Sequence, residues 1–358
     1  MLPFKSKFFL FPYWITLKIR HFLYDKNIKE VEEFPIPIIS VGNITVGGTG
    51  KTPHTELLIR LLQNKERVAV LSRGYKRKTK GFRIASAEDT YKTIGDEPLQ
   101  IKQKFPNIIV AVCANRREGI KKLLALPTEG EGTLKPTIII LDDAFQHRHV
   151  KPSHSIVLTN YNNPIFKDNL LPIGTLRDLP EQIKRANTVI ITKSPLFGEH
   201  DGIIDDVLAK EQIIPQEKEW RKNLKLKDNQ NLLFSVITYG EPIMLSAEAD
   251  TRYLYSESAI FFTGIANDDE FKNHILGKYK VLDSKKFADH CNFSKGDIKG
   301  INSWAKSHPR SAIFTTEKDS KRLINNPYLS EDVKKRLFYI PIEVRIIPAG
   351  DAAKILGK

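Results

Sequence analysis

Two cysteines, Cys113 and Cys291, are all that the 358 residues contain. That is too few for a disulfide framework or a thiolate metal site, and it is consistent with a reducing compartment. Long apolar runs are also missing. The charge-free stretch from Phe8 to Leu17 is too short to cross a bilayer. It runs into Lys18, Arg20 and His21 with no small-residue cleavage site, so a cleaved signal peptide is not expected. No internal repeat or low-complexity tract stands out. Acidic residues are in deficit, 42 against 56 Lys and Arg, giving a net charge of +14. Such a balance asks for an anionic partner: nucleic acid, an anionic membrane surface or a phosphorylated substrate. No nucleic-acid recognition motif accompanies the charge, and nucleic acid therefore ranks last and is not expected as a partner.

What is present reads as a soluble globular protein, with 41% hydrophobic and 27% charged residues, long enough for two domains. Its chemistry starts at PIPIISVGNITVGGTGKT, Pro35 to Thr52. The β-branched run from Ile36 to Val41, bounded by prolines and Gly42, reads as a buried parallel strand. Gly47, Gly48 and Gly50 let backbone N–H groups, Thr49 included, converge on an anion, and Lys51 adds charge for the β- and γ-phosphates. Thr52 offers a hydroxyl to Mg²⁺. Leu57, Leu58, Leu61 and Leu62 then recur at helical spacing, so the loop opens a helix whose N-terminus faces the phosphates. This is a P-loop in strand, loop, helix context, although Thr45 stands where the strict pattern has its first glycine.

Around it, the amino-terminal segment sets Phe4, Phe8, Phe9, Phe11, Tyr13, Trp14, Phe22 and Tyr24 among Lys5, Lys7, Lys18 and Arg20. That mixture suits an interfacial helix or hairpin on an anionic membrane, the bland reading being an aromatic helix packed on the sheet. A second strand, Arg67 to Ser72, leads into Arg73, Gly74, Tyr75 and a basic run, either a solvated loop or an anion-binding one. Asp96 and Glu97, between Gly95 and Pro98, read by composition alone as a surface turn. After the strand Ile108 to Val112, the run Ile138 to Leu141 delivers Asp142 and Asp143 to the carboxyl edge of the sheet, where a Walker B aspartate holds Mg²⁺. Gln146, His147 and His149 follow. A zinc site from His147, His149 and His154 is a weak alternative, with no second ligand cluster at metal spacing.

Taken together, SVGNITVGGTGKTP at 40–53, SRGY at 72–75, GDEP at 95–98, DDAFQH at 142–147, LLPIGTLRD at 170–178, FADH at 287–290 and TEKD at 316–319 resemble the tetraacyldisaccharide 4'-kinase (lipid A 4'-kinase) family. The pieces run in family order across most of the chain. Departures are Ala144 where the family commonly has glycine, a weak match after His149 and a variable stretch from Gly198 to Ser256. The resemblance implies ATP- and Mg²⁺-dependent phosphorylation of the 4'-hydroxyl of an acylated disaccharide 1-phosphate. It places a peripheral protein at the cytoplasmic face of the bacterial inner membrane. It implies Asp96 as the base, His290 as its partner and Lys51 as the third catalytic residue. Metal contacts are expected from Thr52, Asp143, Glu97 and Gln146, and substrate contacts from Arg73, Arg117 and Arg177.

Further short strands at 189–192, 260–263, 280–282, 312–315 and 337–340 alternate with helical stretches at 268–274 and 295–307. The expected class is therefore α/β, with a P-loop NTPase-type, mostly parallel sheet flanked by helices on both faces and a second, smaller α/β domain. The expected division is a membrane-associating segment 1–30, a nucleotide domain 31–185 and a second domain 186–358, with a linker or lid near 216–230. A different class, a membrane-associated P-loop ATPase acting as a switch or partitioning factor, fits the P-loop and amino terminus and leaves GDEP and FADH without a role.

Overall fold

A short β-branched run with no polar interruption can be buried on both faces only in the interior of a sheet, and that is where Ile38–Asn43 lies. In the computed structural model, which describes residues 4–357 other than 129, 131, 133, 201, 202, 266, 290 and 325, this strand is β1. The others are β2 (Val68–Ser72), β3 (Arg83–Ile84), β4 (Ile109–Val112), β5 (Ile138–Asp142), β6 (His154–Asn160), β7 (Thr188–Thr192), β8 (Glu199–His200), β9 (Ile203–Ile204), β10 (Asn231–Tyr239), β11 (Ile243–Met244), β12 (Ser258–Thr263), β13 (Lys280–Lys286), β14 (Ala312–Thr316), β15 (Leu337–Ile340) and β16 (Ile342–Ile347). The helices are α1 (Phe4–Asp25), α2 (Lys51–Leu62), α3 (Tyr91–Ile94), α4 (Asp96–Lys104), α5 (Arg116–Leu124), α6 (Asp206–Leu224), α7 (Asp269–Leu276), α8 (Lys295–Lys306), α9 (Glu317–Leu323) and α10 (Glu331–Arg336).

The chain forms two compact units. The first takes in residues up to Glu88, Ile101–Ile237 and Val344 onward; the second is Asp89–Gln100 with Thr238–Glu343. A nine-stranded sheet in the order β16-β10-β7-β6-β1-β5-β2-β4-β3 organises the first. Its central pairs are parallel and β3 runs antiparallel to β4. Ala69, Leu71, Ala111, Ile139 and Leu141 bury one side against Ile120 and Leu123 of α5. Val157, Val189, Ile191 and Phe234 pack with Leu17 of α1 and with Ile213, Trp220 and Leu224 of α6. The second unit holds the sheet β11-β15-β14-β12-β13. Ile298, Ile301 and Trp304 of α8 cover one face of it, and Phe271 and Ile275 of α7 pack with Phe261 and Phe314. No described helix is long and apolar enough to cross a membrane.

The structure corrects two expectations. The stretch near 216–230 is not a linker: most of it is the carboxyl half of α6, a helix along which Ala209, Ile213, Trp220 and Leu224 form a narrow buried stripe. The units do not divide at residue 185 either. Strands β7 and β10 extend the first sheet because Leu232 and Phe234 bury against its core, carrying the first unit on to Ile237.

Helix α2 is locked by His54, which is 1% exposed. Its ring nitrogens lie 2.7 Å from the Gly50 carbonyl oxygen and 2.9 Å from Ser235 Oγ on β10. Only the neutral imidazole can donate to the carbonyl and accept from the hydroxyl. Burial pushes its pKa from 6.5 down to about 4, the bond to Gly50 opposing only in part. Above 6.5 the ring is neutral folded or unfolded. On acidification the unfolded chain takes the proton first, so this contribution to stability is lost as pH falls from 6.5 through about 4. Urea unfolding should lose about 2 kcal/mol through this group between pH ~7 and ~5, a component absent from His54→Asn. An equal slope in the variant would contradict it.

Candidate active site

Strand β1 ends at Asn43, fully buried, and the chain then turns through the glycine-rich loop. Gly47 (φ +98°) and Gly50 (φ +84°) hold backbone conformations that side chains resist. Gly50 is the N-cap of α2 and offers no side-chain cap, leaving the first N–H groups of the helix to an external acceptor. Gly48 is exposed, whereas Thr49 turns inward: its hydroxyl accepts from Asn43 Nδ2 at 2.7 Å. Among the expected phosphate ligands, Thr49 thus has a side chain committed to shaping the loop. Thr52, largely buried, stands in the first turn of α2 beside Lys51.

Strand β5 brings two carboxylates to this loop with opposite fates. Asp142, 1% exposed, accepts from Ser72 Oγ at 3.2 Å and Thr55 Oγ1 at 3.4 Å. Burial and the neighbouring Asp143 raise its pKa against the pull of Lys51 and Arg116. Asp143 sits in a left-handed turn (φ +48°), a conformation aspartate tolerates better than most residues. The turn aims it at Lys51, whose Nζ is 4.0 Å from Oδ1. Burial opposes its charge, but Lys51 and Arg177 outweigh that and hold its pKa below the ordinary carboxylate value. Of the two, Asp143 is the carboxylate kept ionised.

Arg177, expected at the substrate, pairs with this carboxylate. Its guanidinium forks onto both oxygens of Asp143, with Nη1 3.2 Å from Oδ2, and also donates to Asn43 Oδ1. Gln146 donates from Nε2 to the Asn43 carbonyl oxygen at 2.7 Å. The turn can lie this close to β1 because Gly42 has no side chain: a Cβ there would be 2.6 Å from Phe145 Cβ and 2.9 Å from Phe145 N. Asn43 therefore ties together the P-loop, the Walker B turn and the Arg177 loop, a role that no local pattern in the sequence assigns. Arg116, fully buried, reaches the carbonyl oxygens of Cys113 and of Asp142, and burial lowers its pKa to about 10.

Beside this cluster a cavity of about 380 Å³ is lined by Tyr24, Lys29, Asn115, Arg117, His147 and His149. Arg117 pairs there with Glu30 at 3.1 Å, while Arg73 is exposed beyond β2. Burial and then Arg116 push His147 to a pKa of about 3, keeping its ring neutral. His147 and His149 meet edge to face, but His154 bonds Thr188 instead, and no three described His, Cys, Asp or Glu could share a metal ion. The zinc alternative gains no support from this geometry.

Asp96 and Glu97 belong to the second unit, in the first turn of α4 rather than in a surface turn. Asp96 is 7% exposed and paired with Arg322. Arg322 also donates to Asp319 Oδ1 at 3.2 Å, and Asp319 Oδ2 accepts from the Gly264 N–H at 2.8 Å and Thr316 Oγ1 at 2.7 Å. The TEKD stretch thereby acquires a role, since its aspartate anchors the arginine that holds Asp96. His290 lies outside the described residues.

A glycine-rich turn opening a helix, an adjacent lysine and a strand-end aspartate kept ionised together define a P-loop nucleotide-binding protein. The family model described as tetraacyldisaccharide-1-P 4'-kinase matches residues 7–358. Proteins named tetraacyldisaccharide 4'-kinase are 41% identical over 344 residues in Parabacteroides distasonis, covering 94% of this chain and 88% of that one. In Flavobacterium psychrophilum the figures are 42% over 341 residues, with 93% and 91% covered. The crystal structure of LpxK from Aquifex aeolicus in complex with ATP is similar at a TM-score of 0.70 and 26% identity, covering 98% of this chain and 96% of that one. The chain belongs to the tetraacyldisaccharide-1-P 4'-kinase family.

The buried Arg322 makes a direct test of the second unit. Replacing it with Met removes the buried guanidinium that Asp96 and Asp319 share, which should destabilise that unit by about 3–5 kcal/mol. Thermal unfolding of Arg322→Met checks this, and a melting curve like that of the wild type would show that the pair carries no net stabilisation.

Proposed function

We propose that this protein transfers the γ-phosphoryl group of ATP to the 4'-hydroxyl of a tetraacylated glucosamine disaccharide 1-phosphate, the kinase step of lipid A biosynthesis. The observation that carries the reading is the ionised Asp143 facing Lys51 at the open end of α2, in a chain matched by the kinase family nearly end to end. Phosphoryl transfer needs positioning and charge more than covalent chemistry from the protein. Backbone N–H groups from Gly47 to Thr52 orient the phosphates and Lys51 offsets charge developing on the transferred group. The Thr52 hydroxyl and Asp143 fit the needs of Mg²⁺, which when bound would neutralise the β- and γ-phosphates, and Gln146 steadies the turn behind them. Asp96 would accept the proton of the sugar hydroxyl, with His290 as its partner. Arg117 and Arg73 are the arginines left for an anionic acceptor.

The acceptor is a lipid, and the exposed face of α1 suits a lipid surface. Phe11, Trp14, Ile15, Ile19 and Phe22 are all exposed on it. A helix of this kind lies in the interface with its apolar face among the acyl chains, which suits a peripheral protein on the anionic cytoplasmic face of the inner membrane. A switch-type ATPase would differ in where the phosphate ends. Incubation with γ-labelled ATP, Mg²⁺ and the tetraacyl disaccharide 1-phosphate should move label into the lipid. Lys51→Ala should lower that rate by at least about 100-fold, the loss typical of removing one preorganised charge donor, and remain folded. Label appearing only as free phosphate would overturn the kinase reading.

A further inference from the structure

Helix α1 has a second face, and its polar contacts converge on the catalytic turn. Tyr13, Leu17, Arg20, His21 and Tyr24 recur at helical spacing on the side away from Phe11, Ile15 and Phe22. Leu17 is buried in the core with Ile44, Phe145 and Leu176. Tyr13 Oη donates to the Arg177 carbonyl oxygen at 2.8 Å, and Arg20 donates to the Gln146 carbonyl oxygen. His21, 3% exposed, lies with Nε2 2.6 Å from Asp178 Oδ1 and Nδ1 2.9 Å from Arg148 Nη1. A guanidinium can only donate, so Nδ1 accepts and Nε2–H is directed at Asp178. Asp178 is fully buried, and its other oxygen has no hydrogen-bond donor among the described residues. Arg148 continues to Asp25 at the end of the same helix.

Three of the polar contacts, those of Tyr13, Arg20 and His21, land on or next to a residue of the node that aims Asp143. Arg177 grips Asp143 and Asn43, Asp178 follows Arg177, and Gln146 bonds Asn43. We propose that α1 is a brace for the catalytic turn as well as a membrane-facing helix, with His21 and Tyr13 as positioning residues that fix the Arg177 loop and hence the direction of the Asp143 carboxylate. The inference rests on the kinase reading above. It gives the amino-terminal helix a role that anchoring does not require. A lipid-contacting element is built into the wall of the nucleotide site, and loosening its inner face costs turnover even when the lipid is delivered.

The test uses the full chain with Tyr13→Phe, His21→Ala and His21→Gln. Turnover is followed as phosphate leaving ATP, to lipid or to water, so absence of lipid product in the wild type would count against the kinase reading and not against the brace. A misplacement of about 1 Å costs on the order of 100-fold, so Tyr13→Phe and His21→Ala should lower kcat by about 10- to 100-fold. KM for ATP and partition onto vesicles of anionic phospholipid should stay within about threefold, because ground-state binding of ATP rests mainly on the P-loop backbone and vesicle binding on the outer face of α1. His21→Gln offers one donor and one acceptor in place of the ring nitrogens and should recover most of kcat. Should His21→Ala not fold, Tyr13→Phe, which removes a single oxygen, still decides. Unchanged kcat in Tyr13→Phe, or losses that only follow vesicle partition, would overturn the brace.

Discussion

The fork of Arg177 on Asp143, shared with Asn43, is the contact on which the nucleotide side of the protein depends. Asn43 ends the central strand, Asp143 follows the next strand, and Arg177 comes from a loop 134 residues beyond Asn43. A bidentate charge-assisted pair fixes direction as well as distance. Without it, the carboxylate in the left-handed turn would be left with the more distant Lys51, at 4.0 Å, as its ion-pair partner. With it, two adjacent aspartates have their protonation driven apart, Asp142 upward by burial and Asp143 downward by cations. One becomes part of the scaffold, and the other stays ionised at the mouth of the P-loop.

The second unit repeats the device with other residues. Arg322 lies between Asp96 and Asp319, and the backbone N–H of Gly264 and the Thr316 hydroxyl satisfy the far oxygen of Asp319. In both units a carboxylate expected to do chemistry is aimed by an arginine whose own position is fixed by further bonds. Aiming of this kind is what phosphoryl transfer demands, since its rate is set by placement and charge.

The parts legible in the sequence are those governed by local physics. Apolar β-branched runs mark β1, β2, β4, β5 and β7 to within a residue or two, and the glycines with Lys51 mark the nucleotide loop because backbone freedom and charge are written in residue type. Helix α6 reads in part as a linker because one narrow apolar stripe, interrupted by Pro215, has to carry its burial among charged residues. Strand β6 has only Ile156, Val157 and Leu158 at its centre and depends on β1 and β7 on either side for its pairing. The roles of Asn43, Arg322 and His21 give no local signal because each depends on a partner more than 100 residues away, and no pattern along the chain brings such pairs together. Asp96 is chemically suited to be a base by family resemblance, yet its place in a helix and its arginine become visible only in the fold.

The claim that Arg177 acts through Asp143 is tested most directly by a double-mutant cycle. Single-turnover phosphoryl transfer would be measured for Asp143→Asn, Arg177→Met and the pair together. If the guanidinium works by holding that carboxylate ionised and aimed, removing it after the carboxylate is gone costs little, and the cycle shows a coupling of at least about 1 kcal/mol. Additive losses would mean that Arg177 acts on the substrate independently of Asp143, and would contradict the account.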